Sequence, residues 1–226
     1  METPSKDCTL CPRLCEFRTQ NAKKFPTYYN GPVPPFTSPH PKLLIVGLAP
    51  GLHGANNTGR PFTADYAGDL LYPTLVKFGF ARGEYKERAD DGMELIGTRI
   101  TNAVRCVPPE NKPTPAEIKT CNNFLISEIA ALASELRVMV ALGQIAHQAI
   151  LRALNVKVSA MPFGHNTKYQ IPLPPRGGGS GEAGGEGEKI TLLSSYHCSR
   201  YNTNTKRLTP EMFETVFAHA RELCDK

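Results

Sequence analysis

The sequence has no run of about 18 apolar residues, which excludes a transmembrane helix. Its first residues, Met1-Glu2-Thr3-Pro4-Ser5-Lys6-Asp7, lack the apolar core of a signal peptide. These absences predict a cytoplasmic protein with no membrane partner, in a compartment where disulfides are rare. No internal repeat is visible, which sets solenoids aside. A strong charge of either sign is missing too. The 26 basic and 21 acidic residues leave +5, a balance that permits an anionic partner such as nucleic acid without demanding one. Two familiar phosphate loops are absent. There is no G-x-G-x-x-G after the first apolar strand and no Gly-Lys-Ser/Thr.

What is present suits one ordinary domain over 1–226, with 40% hydrophobic residues to form a core. Four short, branched, apolar runs read as buried parallel strands: 43–47, 99–102, 138–142 and 190–194. Helical patterns lie between and after them at 65–79, 115–136, 144–154 and 210–223. The longest opens with Thr114-Pro115-Ala116-Glu117, a capping box with Pro at the first helical position. Strands alternating with helices predict an α/β fold with helices on both faces of a parallel sheet. Proline-rich residues 24–42 are expected to run extended over the surface. The stretch Pro174–Lys189, "PPRGGGSGEAGGEGEK", reads as a flexible Gly-rich insertion.

Two features point to chemistry. The first is a glycine-rich loop, "VGLAPGLHGANNTGRPFTADYAG", joining the first strand to a helix, where α/β proteins gather ligands. The second is the set of seven cysteines. Cys8 and Cys11 can chelate from one turn, with Cys15 as an alternative to Cys11. Cys106 follows the second strand, and Cys121 lies in the capped helix, which can fold back beside it. Four thiolates suit zinc or an iron–sulfur cluster. Cys198 and Cys224 stand alone.

The blocks "CTLCPRL", "GLAPGLHGANNTGRPFT", "TNAVRCVPPENKPTPAEIKTC" and "SSYHCSRYNTNTKRLT" occur in this order across nearly the whole chain. In this they resemble the iron–sulfur uracil-DNA glycosylases, most of all class B (family 5), with family 4 next. The resemblance implies a three-layer α/β/α sandwich around a four-stranded parallel sheet. It implies a structural [4Fe-4S] cluster on Cys8, Cys11, Cys106 and Cys121. It also implies a monomeric, monofunctional enzyme, active at the bacterial nucleoid, that removes uracil from DNA. Hypoxanthine and xanthine are further expected substrates, since the apolar Leu48 and Ala49 leave few fixed polar groups to reject a wrong base. The alternative is a non-catalytic iron–sulfur protein holding damaged or single-stranded DNA.

Such an enzyme flips the base out of the duplex and stabilises a departing uracil anion. By resemblance, backbone N–H groups near Gly51 and Leu52 face uracil O2, and Phe62 stacks on the base. The Asn102 amide suits uracil O4 and N3–H. His197 is expected to ease the leaving anion, and Asp65 to position water or steady the positive sugar. Asp65 also suits a helix cap. His53 and His165 are expected near the base, while Asn56 and Asn57 read as turn formers. Arg200, Tyr201, Asn202 and Asn204 are expected to wedge into the duplex and contact phosphates, with Lys206 and Arg207 adding charge. The family usually has proline where this chain has Cys198, which leaves that loop less restrained.

Overall fold

The computed structural model describes residues 1–173 and 189–225. In chain order the elements are α1 (Pro12–Lys24), β1 (Phe36–Thr37), β2 (Leu43–Gly47), α2 (Ala55–Thr58), α3 (Tyr66–Lys77), β3 (Ala81–Arg82), β4 (Glu94–Leu95), β5 (Thr98–Asn102), α4 (Pro115–Leu132), β6 (Val138–Leu142), α5 (Gln144–Ala153), β7 (Lys168–Pro172), β8 (Lys189–Ser195), α6 (Arg200–Asn204) and α7 (Pro210–Cys224). The Gly-rich insertion expected over 174–189 lies outside the described residues, except Lys189, which opens β8.

The main sheet has the order β1-β5-β2-β6-β8-β7. Its inner four strands are parallel, as expected. The sheet is six-stranded because β1 and β7 add antiparallel edges. Both edges are hard to see in sequence. Strand β1 has two residues just after Pro34-Pro35, and β7 ends on Pro172, which an edge tolerates because it need not donate. Nor does the proline-rich stretch simply run over the surface: Val33 is buried, and its N–H donates to the Arg105 carbonyl at 2.7 Å.

Strand alternation divides the core into two layers. Leu43, Ile45, Val138, Val140 and Leu142 face α3 and α7, meeting Leu71, Leu75, Phe213 and Phe217. Leu44, Val46, Met139 and Ala141 face α4 and α5, meeting Leu125, Ile129, Ala146 and Ile150. Each fully buried Leu or Ile contributes about 2 kcal/mol. A one-residue slip would exchange the two faces, so the register is fixed from both sides. The capping box forms as expected: Thr114 Oγ1 accepts from Glu117 N–H, and Glu117 Oε2 accepts from Thr114 N–H at 2.7 Å.

Helix α1 was not visible in the sequence because only Leu14 and Asn21 on it are buried. Leu14 packs with Val104, Ile118 and Cys121 in a small third cluster beside the main core. Among the described residues no helix is long and apolar enough to cross a membrane.

Candidate active site

The parallel strands deliver their C-terminal ends to one edge, and the loops there enclose a cleft of about 390 Å³. Strand β2 feeds Leu48, Ala49 and Gly51 into its wall; β5 ends on Asn102; the turn after β8 supplies His197, Ser199 and Arg200. Phe62, Asp65, Tyr66 and Ala67 complete the side formed by the start of α3.

Glycine makes this convergence possible. Any Cβ on Gly47 would overlap both Asn102 Oδ1 and the Phe62 ring. A Cβ on Gly54 would stand 2.8 Å from Asp65 Cβ and 2.9 Å from its Oδ2. Gly143, at φ +98°, leaves only 3.4 Å between such an atom and His197 Cβ. The loop backbone therefore lies directly against three of the expected site residues.

Phe62 is buried and adopts φ +54°, and Ala64 adopts φ +58°. Left-handed backbone costs a residue with a Cβ about 1–2 kcal/mol, so surrounding contacts hold this segment in place. The Phe62 and His197 rings lie 6.1 Å apart between centroids at 29°.

Asp65 is both a helix cap and a wall of the cleft. Its Oδ1 accepts from Ala67 N–H at 3.0 Å and Gly68 N–H at 3.3 Å. Its Oδ2 is turned toward the Gly51–Gly54 loop. Burial lifts its carboxyl from 3.8 to about 6; the two helix N–H groups pull it back, and Asp69 pushes it up slightly. A carboxylate so placed is charged at neutral pH yet poorly hydrated. His197 shows the opposite response. Burial alone lowers its imidazole from 6.5 to about 4, so the ring is neutral at physiological pH. Among the described residues, neither Gly51 N–H nor Leu52 N–H has a hydrogen-bond acceptor.

Several expected residues lie elsewhere. Leu52 does not line the cleft. His53 faces away from it, its Nδ1 3.0 Å from Tyr28 Oη and its ring edge-on to Phe25 and Tyr28. His165 stacks on Tyr196 at 5.1 Å, and its Nδ1 accepts from Tyr196 N–H, so it braces the loop that carries His197. Asn202 donates through Nδ2 to the His197 carbonyl at 2.8 Å, again a brace. Tyr201 is 72% exposed at the rim. Asn204 and Lys206 are exposed on and just after α6. Arg200 lies over the Tyr66 ring, and Arg207 over Tyr196. Asn56 is buried, and its amide donates to Asn30 Oδ1 at 3.1 Å, a tie between loops; Asn57 bonds the Gly54 and Tyr29 backbone.

Sequence reasoning missed Tyr66, Ser199 and Asn111 as wall residues. Ser199 carried a signal, since it caps α6 by accepting from Asn202 N–H. Asn111 carried none; it reaches the cleft from a single turn at 109–111, where it and Glu110 have positive φ.

A second, smaller cavity of about 20 Å³ is lined by Cys8, Cys11, Cys15, Cys106 and Cys121. Nearby, Arg13 joins α1 to α4 through a 2.8 Å ion pair with Glu117. Burial, then the neighbours Cys121, Glu117, Cys8 and Cys15, push Cys11 up to about 11. Burial likewise raises Cys106 to about 12, against the pull of Arg18. Arg18 Nη1 donates to Cys106 Sγ at 3.7 Å, and Arg105 N–H to Cys121 Sγ at 3.3 Å. The donor set fits a group that takes thiolates and supplies positive charge. Among the described residues, no three His, Cys, Asp or Glu side chains converge on one point as a metal centre; the thiols share a cavity without meeting.

A family model described as the uracil DNA glycosylase superfamily matches residues 34–221. The chain is similar to the type-5 uracil-DNA glycosylase of Thermus thermophilus, 43% identical over 221 residues, covering 96% of this chain and 93% of that protein. It is 39% identical over 223 residues to the type-5 enzyme of Mycobacterium tuberculosis, covering 96% of this chain and 78% of that protein. A type-4 uracil-DNA glycosylase of Archaeoglobus fulgidus is more distant, 26% identical over 188 residues, covering 82% of this chain and 78% of that protein.

Proposed function

The chain belongs to the uracil DNA glycosylase superfamily, and from that premise we propose that the cleft at the sheet edge is where it excises uracil from DNA. The observation that carries this reading is the meeting of Phe62, Asp65, Asn102 and His197 in one cavity of about 390 Å³, ample for a nucleobase. These residues come from three separate segments of the chain: the loop before α3, the end of β5 and the turn after β8.

In this reading the extruded base lies against the Phe62 ring. The Asn102 amide reads O4 and N3–H, and the Gly51 N–H lies toward O2. When the N-glycosidic bond breaks, its electron pair leaves with the base, and the sugar becomes oxocarbenium-like. Neutral His197 donates a hydrogen bond to the departing anion without first having to lose a proton. Asp65 Oδ2, held by its own cap, faces the developing positive charge and orients the water that adds to C1′. As the water bonds C1′ its proton passes to the Asp65 carboxylate and on to solvent, the base anion takes up a proton, and free base and an abasic site result. No lysine has a role, so the reaction stops there. Leu48 and Ala49 leave part of the wall apolar, which favours acceptance of hypoxanthine and xanthine as well.

Cys8, Cys11, Cys106 and Cys121 are the residues that would hold a [4Fe-4S] cluster. Bound there, it would tie the N-terminal segment to β5 and α4 without taking part in bond breaking. The mutual penalty on the thiolates supports a cationic occupant.

The test is base release from an oligonucleotide with one uracil, read by alkaline cleavage opposite G, opposite A and in single strands, at stated salt. Parallel duplexes carry hypoxanthine or xanthine. Release from the uracil substrate is the expected result. Tight binding of uracil-DNA with no release would sink the catalytic reading, and activity confined to uracil would sink the broader one.

A further inference from the structure

Residues 80–97 have no place in the chemistry described so far. They form the β3–β4 hairpin, whose long loop, 83–93, folds back over the start of α3. Two sets of contacts pin that loop. Arg60 and Asp91 form a buried ion pair at 2.7 Å. The same Asp91 carboxylate accepts from the Lys86 N–H at 3.1 Å and the Met93 N–H at 3.0 Å, drawing the two ends of the loop together. The Tyr85 ring stacks on Tyr72 at 4.7 Å and 23°. Its hydroxyl then reaches the cleft-wall segment 62–64, where Phe62 and Ala64 are left-handed.

We propose that Tyr85 is a positioning residue for base excision. Its hydroxyl accepts from the Ala64 N–H at 3.1 Å and donates to the Phe62 carbonyl at 3.3 Å. That bridge keeps the Phe62 ring and the Asp65 carboxylate turned toward the same base. The proposal rests on the reading of the cleft given above.

The argument is conformational. Phe62 and Ala64 are both left-handed, at φ +54° and +58°. Each would relieve its steric strain by returning to an ordinary region. Either return would rotate the Phe62 ring or swing Asp65, which follows Ala64 directly. One hydroxyl meets a polar group of both strained residues. Arg60 adds a second hold, with Nε donating to Thr63 Oγ1 at 2.7 Å. Gly68 supplies the space, since a Cβ there would overlap both the Phe62 carbonyl oxygen and Tyr85 Oη. Tyr85 is not part of the cleft wall, so it acts through Phe62 and Asp65 rather than on the base. Burial keeps its phenol protonated far above the ordinary range, so the donor to Phe62 persists at any working pH.

Tyr85→Phe keeps the ring stacked on Tyr72 and removes only the bridge. Misplacement of reacting groups by about 1 Å costs up to a hundredfold in rate. Single-turnover uracil release by Tyr85→Phe is therefore expected to fall about 10- to 100-fold. Affinity for the same oligonucleotide should stay near its original value, and the melting temperature should fall only modestly. Hydrogen exchange at the Ala64 amide should speed up while the later amides of α3 stay protected. Phe62→Ala and Asp65→Asn are measured alongside. If those two lose activity while Tyr85→Phe keeps the full rate, the positioning role is overturned and the cleft reading stands. If both keep the full rate, the cleft reading itself has failed. A rate loss matched by weakened protection throughout α3 would make Tyr85 a stability residue only, and would also overturn the proposal. Gly68→Ala retains Tyr85 but drives a methyl group into the bridge. It is expected to show the same loss, and a folded Gly68→Ala with the full rate counts against the proposal whatever becomes of Tyr85→Phe.

Discussion

The cleft at the sheet edge and the cysteine-lined cavity beside α1 are built on opposite plans. In the cleft two polar groups, Asp65 and Asn102, are already positioned by backbone. Asp65 is fixed by two helix N–H groups, and Asn102 and Phe62 press on the bare Cα of Gly47. In the cavity several thiols crowd together, and burial and mutual proximity resist their ionisation. The first region is set as folded; in the second the thiols share a cavity without converging. The difference teaches that the fold itself orients the cleft residues but does not bring the thiols together. Changes in the cleft should then alter rate with little effect on folding, and changes in the cavity should do the reverse.

The largest effect expected is at His197. Removing one donor aimed at a developing anion costs about 10²–10³ in rate. His197→Ala is expected to lose that much in single-turnover release while its melting temperature stays near the original. A loss below tenfold would take His197 out of the leaving-group role. Next in size is the cavity. Cys106→Ser is expected to lower bound iron and sulfide together and to reduce the melting temperature clearly, because ligand binding there is folding energy. The folded fraction should still release uracil at a rate nearer the original than His197→Ala does. A colourless protein carrying stoichiometric zinc would replace the cluster in this account and leave the contrast between the regions intact.

A smaller effect sharpens the comparison inside the cleft. Asp65 has a folded value of about 6 against an ordinary 3.8, so the fold favours its protonated form as pH falls through that window. His197 has a folded value of about 4 against an ordinary 6.5, so the unfolded chain takes the proton first there. Between about pH 4 and 6 the folded state gains a proton at Asp65 and lacks one at His197. The two contributions to the pH slope of stability have opposite sign and nearly cancel. Excision should fall with acidification through about 6 as Asp65 loses its charge, while these two groups leave stability nearly level. Asp65→Asn retains a capping residue and removes that balance. It should be more stable than the parent at neutral pH, by on the order of 2 kcal/mol. It should also lose stability on acidification at up to about 1.4 kcal/mol per pH unit. An Asp65→Asn protein less stable at pH 7, with an unchanged acid slope, would refute the assignment of strain to this carboxyl.

The parallel strands and the four helices α3, α4, α5 and α7 could be read in advance because their residues carry one message each. Leu43–Val46 is apolar without interruption, and Thr114 and Thr209 both precede proline at a helix start. Helix α1 could not be read, because only Leu14 and Asn21 on it are buried and it shows no apolar stripe. Most of the cleft was legible through its motif residues. The supporting parts were not. Tyr85 matters only because Phe62 and Ala64 adopt left-handed backbone, and nothing in a Phe or an Ala announces that. Asn202 and His165 were expected to touch the substrate and instead hold the loop around His197, since a polar side chain beside a catalytic loop looks the same in sequence whether it faces ligand or backbone.

The smallest expected effects separate His53 from His165. Both were expected near the base, and neither lines the cleft. His53 is exposed and bonded to Tyr28, and its loop is held independently by the Asn56 N–H on the Gly51 carbonyl at 3.0 Å. His53→Ala should therefore change uracil release by less than about twofold, as surface substitutions away from special features do. His165 accepts from Tyr196 N–H, one residue before His197, and stacks on the Tyr196 ring. His165→Ala leaves that partly buried N–H without its protein acceptor, a penalty of about 1 kcal/mol. Part of it should appear as a modest rate loss, because the loop it frees carries the leaving-group donor. Equal rates for the two variants would mean that the His197 loop is held by Asn202 alone, and that the rigidity of the cleft has fewer supports than the geometry suggests.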